Sequence, residues 1–251
     1  MDNAVPPEQG NSVDDLPVIY RDDHLVAIDK PAGLLVHRSP IDRHETRFAL
    51  QLLRDQLGQR VYPVHRLDKP TSGVLLFALS GEMARRVADQ FGTRSVRKEY
   101  LAVVRGWAPA EGVIDYPLRE KLDRIADRDR GATREAQDAV TRYRCLATVE
   151  IPFAVDRYPH SRYSLVVLYP ETGRKHQLRR HMKHIGHPII GDAKHGKGVH
   201  NRFFQGQYGC YRLLLACTAL AIDHPVTGAR LLLEAGLDAP FATVLNEFGW
   251  Q

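Results

Sequence analysis

The chain has 251 residues, 43% hydrophobic and 26% charged, with 35 Lys and Arg against 30 Asp and Glu and a pI near 9.1. That length can bury a substantial core, and the composition excludes collagen-like, low-complexity and highly charged disordered classes. The excess of five positive charges is mild and by itself only leans towards a polyanionic partner.

Three cysteines, Cys145, Cys210 and Cys217, contain no CxxC pair, so a reducing cytoplasm is expected and a disulfide framework is not. No apolar run is long enough to span a membrane, and the N-terminus lacks the basic-then-apolar order of a signal peptide.

Residues 1–15 carry Pro6, Pro7, Gly10 and several acids with little to bury, which predicts a disordered tail. Val18-Ile19-Tyr20 and Leu25 to Ile28 flank Arg21 to His24 as a hairpin would. Lys30-Pro31-Ala32-Gly33 then reads as a turn with an exposed lysine, after which Leu34 to Val36 resume extended structure. Phe48, Leu52 or Leu53, and Leu57 recur at helical spacing, with Thr46 as N-cap and Gly58 as stop. A second helix is clearer: Ser80 caps it, Met83, Val87 and Phe91 form a stripe, and Gly92 ends it.

Tyr100 to Val104, Val140 to Val149 and Tyr163 to Leu168 read as strands, the first with a half-buried tyrosine. Between residues 117 and 139 charges of both signs crowd together, as in a surface excursion or short exposed helix. Residues 174–202 hold eight Lys or Arg, one acid, Asp192, and six of the twelve histidines. Leu178, Met182 and Ile185 fall on one helical face, and His176, Arg180, Lys183 and His187 on the other, with Thr172 and Gly173 opening the helix. An apolar floor under a basic roof suits contact with phosphates. A zinc site is the rival, but no Cys or carboxylate joins the histidines at ligand spacing and HExxH is absent, so no metal is expected. Arg212 to Ile222 and Leu231 to Glu234 read as strands around a turn at His224 to Gly228, and Phe241 to Phe248 as a short helix.

Strands in hairpin-like order with scattered helices predict an α+β fold around a mostly antiparallel or mixed sheet. Its centre is His65-Arg66-Leu67-Asp68-Lys69-Pro70-Thr71-Ser72-Gly73, a charged turn between the apolar runs Val61 to Val64 and Val74 to Leu79. A carboxylate presented there between Arg66 and Lys69 is held ionised. An Asp that merely caps the turn is the bland alternative.

This stretch resembles the catalytic motif HRLDxxTSG of the RluA family of pseudouridine synthases. Lys30-Pro31-Ala32-Gly33 resembles the family's KPxG, Lys98-Glu99-Tyr100 its KxY, and Thr172 to Arg179 its TGRxHQ(I/L)R, all in the family's order. The resemblance covers about residues 17–250 and is nearest to the TruC type, which acts on uridine-65 of tRNA. His37-Arg38-Ser39, Leu122 to Asp127, Gly191 to Gly196 and Phe248-Gly249-Trp250 agree with that type.

The resemblance implies the pseudouridine synthase fold, a long bent sheet crossed by an RNA cleft. It implies one catalytic domain over residues 16–251, with no separate N-terminal RNA-binding domain, and isomerisation of a uridine without any cofactor. Asp68 would be the reacting carboxylate, Arg66 would help hold a flipped nucleotide, and Tyr100 would stack on uracil and assist loss of its C5 proton. Arg179 would pair with Asp68, so that its removal should cripple catalysis at a modest cost in stability. Leu178 would form an apolar wall, and Lys30 would support the site. With His176, Arg180 and Lys183 as further RNA contacts, the partner expected is RNA, chiefly tRNA, and the protein is expected to act as a monomer. Modification of large-subunit rRNA, a non-catalytic RNA-binding protein on this fold, and a kinase-like enzyme are the alternatives. The last lacks a Gly-rich loop and DFG.

Overall fold

A computed structural model describes residues 15–38, 44–119 and 135–250. Of the disordered tail expected over residues 1–15, all but Asp15 lies outside the described residues, as does the interior of the charged stretch, 120–134. Two short antiparallel strands, β1 (Val18–Arg21) and β2 (Leu25–Lys30), form the expected hairpin. Then follow α1 (Ala49–Leu57), β3 (Tyr62–Pro63), β4 (Ser72–Ala78), α2 (Gly81–Gly92), β5 (Arg97–Arg105) and β6 (Glu111–Asp115). The remainder is β7 (Val140–Ile151), β8 (Ser161–Pro170), α3 (Gln177–His184), α4 (Gly198–Tyr208), β9 (Leu215–Asp223), β10 (Arg230–Glu234) and α5 (Ala239–Glu247).

The strands join in a ten-stranded mixed sheet ordered β1-β2-β4-β9-β5-β8-β7-β6, with β10 on β9 and β3 on β4. Among the described strands every pairing is antiparallel except β4 with β9, which run parallel over Ser72↔Ala216 and Gly73↔Cys217. This seam lies at the start of β4, directly after the charged turn. Its close approach depends on Gly73, whose φ of +104° is outside the range that L side chains adopt readily. A Cβ there would stand 2.1 Å from the carbonyl oxygen of Cys217. The glycine serves the seam and not the turn. Gly73→Ala should therefore destabilise the protein by about 2–3 kcal/mol, from backbone strain and overpacking together. An unchanged midpoint in urea denaturation would contradict that.

The sheet is apolar on both faces. Along β5, Tyr100, Ala102 and Val104 enter one core cluster and Val103 the other. Along β8, Val166 and Leu168 part from Tyr163 and Leu165 in the same way, as the period of two requires. The first cluster is covered by Leu53 of α1, Met83 and Val87 of α2, and Leu178 and Met182 of α3. The second packs under Phe204 of α4 and Phe241, Val244 and Leu245 of α5. Completely buried β4, from Val74 to Ala78, accounts for an apolar run without alternation.

Ser80 caps α2 by accepting from the Met83 N–H at 3.2 Å, as expected. The cap of α1 differs: Phe48, not Thr46, is the N-cap and gives no side-chain bond, while Gly58 ends the helix in the left-handed conformation. Leu34 to Val36 form no strand beyond a single bridge, Leu35 to Phe48. Of the charged excursion, the base is visible as a bridge between Leu118 and Gln137. No helix among the described residues is long and apolar enough to cross a membrane.

Candidate active site

The turn before β4 is closed by the Thr71 N–H on the Asp68 carbonyl, 3.0 Å, with Lys69 and Pro70 at its corner. His65 anchors it from the other side. Its Nε2 accepts the N–H of Leu76 at 3.0 Å and its ring stacks on Phe91, centroids 5.4 Å apart. Burial, then the charge of Lys98, pushes this imidazole down to about 3, so it is neutral as the bond to Leu76 requires. Ser72 is likewise structural, accepting from Arg212 Nη2 at 3.0 Å.

The Asp68 carboxylate stays 29% exposed, facing a cleft of about 930 Å³. Its cation is neither sequence neighbour. Lys69 turns away to Glu45 at 2.6 Å, and Arg66 stands exposed in the cleft wall. Arg179 reaches it from α3, with Nη1 2.9 Å from Oδ2. The same guanidinium is clamped from behind by Asp192, through Nε to Oδ2 and Nη2 to Oδ1, each 2.8 Å. Asp192 is 1% exposed at its side chain and also accepts the N–H groups of Lys194 and His195 at 2.9 Å. Burial pushes its carboxyl up, but Arg179 and these N–H groups outweigh that and leave it below the ordinary range. Asp192 thus fixes the fork that meets Asp68. In the sequence Asp192 is the one acid of a basic stretch and a member of the Gly191 to Gly196 segment, with nothing nearby to mark Arg179 as its partner.

Tyr100 lies in the cleft floor, 8% exposed, in register with Cys217 of β9. Burial, then the Cys217 thiol and Asp68, hold the phenol well above its usual value. A neutral phenol offers its ring face and a hydrogen bond, and a phenolate base is not available at neutral pH. Leu178 forms part of the wall, 7% exposed.

Behind the wall, Gln177 accepts from Thr172 Oγ1 at 2.7 Å and the Arg174 N–H at 3.0 Å, and donates to Val140 O and Thr141 Oγ1. Thr172 and Gly173 therefore do not open α3; they lie in the bend that Gln177 ties down, and His176 is the N-cap. Among the described residues the cleft gathers Arg66, Arg94, Lys98, Arg174, Lys175, Arg179 and Arg180 against Asp68 and Glu171. That is an anion-attracting surface.

Two expected contacts are placed differently. Lys183 is exposed on α3 but does not line the cleft. Lys30 is not an exposed turn lysine. It is completely buried, and its Nζ donates to the carbonyls of Pro31, Leu34 and Lys69 at 2.8, 2.8 and 3.3 Å. Those three acceptors suit an ammonium, although burial followed by Arg212 pushes it down to about 7. It binds the KPxG bend to the Asp68 turn instead of meeting a ligand.

The six histidines of residues 174–202 are parcelled out. His181 meets Thr141 and the Tyr116 carbonyl, His187 the Arg105 carbonyl, and His200 Tyr163, while His184 stacks on Tyr116. His176 pairs with His195. No group of three or more His, Cys, Asp or Glu side chains converges as metal ligands do among the described residues.

A family model described as RNA pseudouridylate synthase matches residues 24–184. The chain is 53% identical over 236 residues to tRNA pseudouridine synthase C of Vibrio cholerae serotype O1, covering 94% of this chain and 97% of that protein. It is 51% identical over 236 residues to tRNA pseudouridine synthase C of Haemophilus influenzae, covering 94% and 99%. Among solved structures, human RNA pseudouridylate synthase domain containing 4 superposes with a TM-score of 0.69 at 28% identity, over 93% of each chain. With its motifs assembled around one cleft and these relatives matching nearly its whole length, the chain belongs to the RNA pseudouridylate synthase family.

Proposed function

We propose that the protein isomerises uridine to pseudouridine in tRNA, at uridine-65, with Asp68 as the reacting carboxylate. The observation that carries this reading is the Asp68 carboxylate, open to a cationic cleft and clamped by an arginine that a buried aspartate holds in place. The substrate class is supported by the names of the relatives, and the position by the resemblance to the TruC type.

The reaction breaks the bond from C1′ to N1 of uracil, turns the base and joins C1′ to C5; the C5 hydrogen leaves as a proton and N1 gains one. No electrons are exchanged, so the residues must supply only a carboxylate, a cradle for the base and proton transfers. The nucleotide must first leave its stack, since a carboxylate on a protein surface cannot reach a glycosidic bond inside a helix. Asp68 attacks the sugar or the base, or takes a proton from C2′, with the Arg179 guanidinium 2.9 Å away aiming it. Tyr100 and Leu178 sandwich the uracil, and Arg66 holds the flipped conformation.

Phosphates then fall to Arg174, Lys175 and Arg180, with Lys183 nearly one turn further along α3, outside the cleft. Replacing Arg180 and Lys183 with Ala should weaken tRNA binding, lowering the slope of log affinity against log salt by roughly one per lost contact. The rate at saturating tRNA should change little. An unchanged slope in both single variants would mean this face does not touch phosphate. Mapping pseudouridines across total RNA from cells with and without the protein tests the assignment as a whole: one tRNA position should revert to uridine.

A further inference from the structure

A second chain of contacts reaches Asp68 besides the arginine clamp. His176 has φ 55°, in the left-handed region that few non-glycine residues occupy. The neighbouring Gln177 side chain makes four hydrogen bonds. The conformation aims the imidazole into the cleft, with Nε2 3.9 Å from Asp68 Oδ2 and Nδ1 2.9 Å from His195 Nε2. The two rings meet edge to face at 79°. The backbone of His195 is itself pinned, because its main-chain N–H donates to Asp192 Oδ1 at 2.9 Å and the chain turns sharply at Gly196. A Cβ at Gly196 would stand 2.4 Å from the Asp192 carbonyl oxygen.

Two neutral imidazoles share one proton across such a contact, and only the direction of donation is open. If His176 donated from Nδ1, its Nε2 would turn a lone pair towards a carboxylate 3.9 Å away. In the opposite sense His195 Nε2–H donates, and His176 carries its proton on Nε2, facing the carboxylate. That sense is the favourable one. Burial foremost, with Arg179, His195 and Lys194 adding to it and Asp68 opposing, pushes His176 down to about 4, so the ring is neutral at physiological pH. At 3.9 Å His176 and Asp68 do not bond directly, and an oxygen lying against both can take the proton of Nε2–H.

We propose that His195 is a positioning residue for the reaction: it fixes the tautomer of His176, whose Nε2–H then donates to an oxygen of the target nucleotide lying against Asp68. This rests on the site assignment above, but its first test does not. Ring nitrogen resonances of His176 in the free, 15N-labelled protein, assigned with a His176→Gln control, should show Nδ1 bare and Nε2 protonated. His195→Phe should lose that single tautomer and lower kcat by about fivefold, the worth of one oriented hydrogen bond, with KM nearly unchanged. His195→Gln, which keeps a side-chain N–H donor, should restore most of both. A His176 protonated on Nδ1 in the wild type would overturn the proposal. So would His195→Phe leaving tautomer and kcat as they were, or slowing turnover with the tautomer intact. A wild-type protein that modified no tRNA would sink the site assignment, while the tautomer still decides the histidine pair.

Discussion

Asp68→Asn should release no tritium from C5-labelled tRNA uridine within a single turnover, a fall of at least about a thousandfold. The amide keeps the shape of the carboxylate and lacks its charge and nucleophilicity. The fold should hardly respond. Asp68 is 29% exposed, and Arg179, which loses one partner, keeps both oxygens of Asp192. A partly exposed pair of this kind is worth no more than about 1 kcal/mol after solvent screening. Affinity for tRNA should hold or rise slightly, since a negative charge leaves a cleft built for a polyanion. Filter binding and denaturation midpoints alongside the tritium assay separate the three effects. Turnover close to wild type would remove Asp68 from the chemistry.

Arg179→Met should lose both activity and stability. The side chains of Arg179 and Asp192 are 7% and 1% exposed, so removing the guanidinium strands a buried carboxylate. Breaking such a pair from one side costs about 3–5 kcal/mol. This corrects the modest loss expected from sequence, where Asp68, open to the cleft, was the only known partner. The pH dependence follows from Asp192. In the wild type its carboxyl is held below the ordinary range, a contribution present above the unfolded value and lost as pH falls through the folded one. Without Arg179 burial dominates and raises that carboxyl, so the gap between variant and wild type should narrow towards acid pH. Adding Asp192→Asn should recover much of the stability and none of the activity. Arg179→Lys should fall between, because one ammonium cannot grip two oxygens of Asp192 and still reach Asp68. Urea melts at several pH values decide it; a variant as stable as wild type at neutral pH would contradict the clamp.

Local chemistry made much of this fold legible in the sequence. The β1–β2 hairpin, α2 with its serine cap and stripe, and the turn at Asp68 all announce themselves through neighbours a few residues apart. Elements held by distant partners did not. Helix α4 has no capping side chain, a glycine inside it at Gly206, and Phe204 seated against Tyr163 and Phe248 from other parts of the chain. Edge strand β6 exists through its pairing with β7. At the site, motif residues were visible, but the partners that aim them were not. Asp192 is 13 residues from Arg179, and Arg179 is 111 from Asp68. Lys30 shows the same limit, since a lysine beside Pro and Gly reads as exposed until its three carbonyl acceptors are known.

The most direct measurement is a base-by-base pseudouridine map of unmodified tRNA after incubation with the purified protein and with Asp68→Asn. Wild type should convert one uridine, position 65, to completion, and the variant should convert none while still binding the tRNA. Pseudouridine formed equally by both proteins, or by neither, would contradict the account.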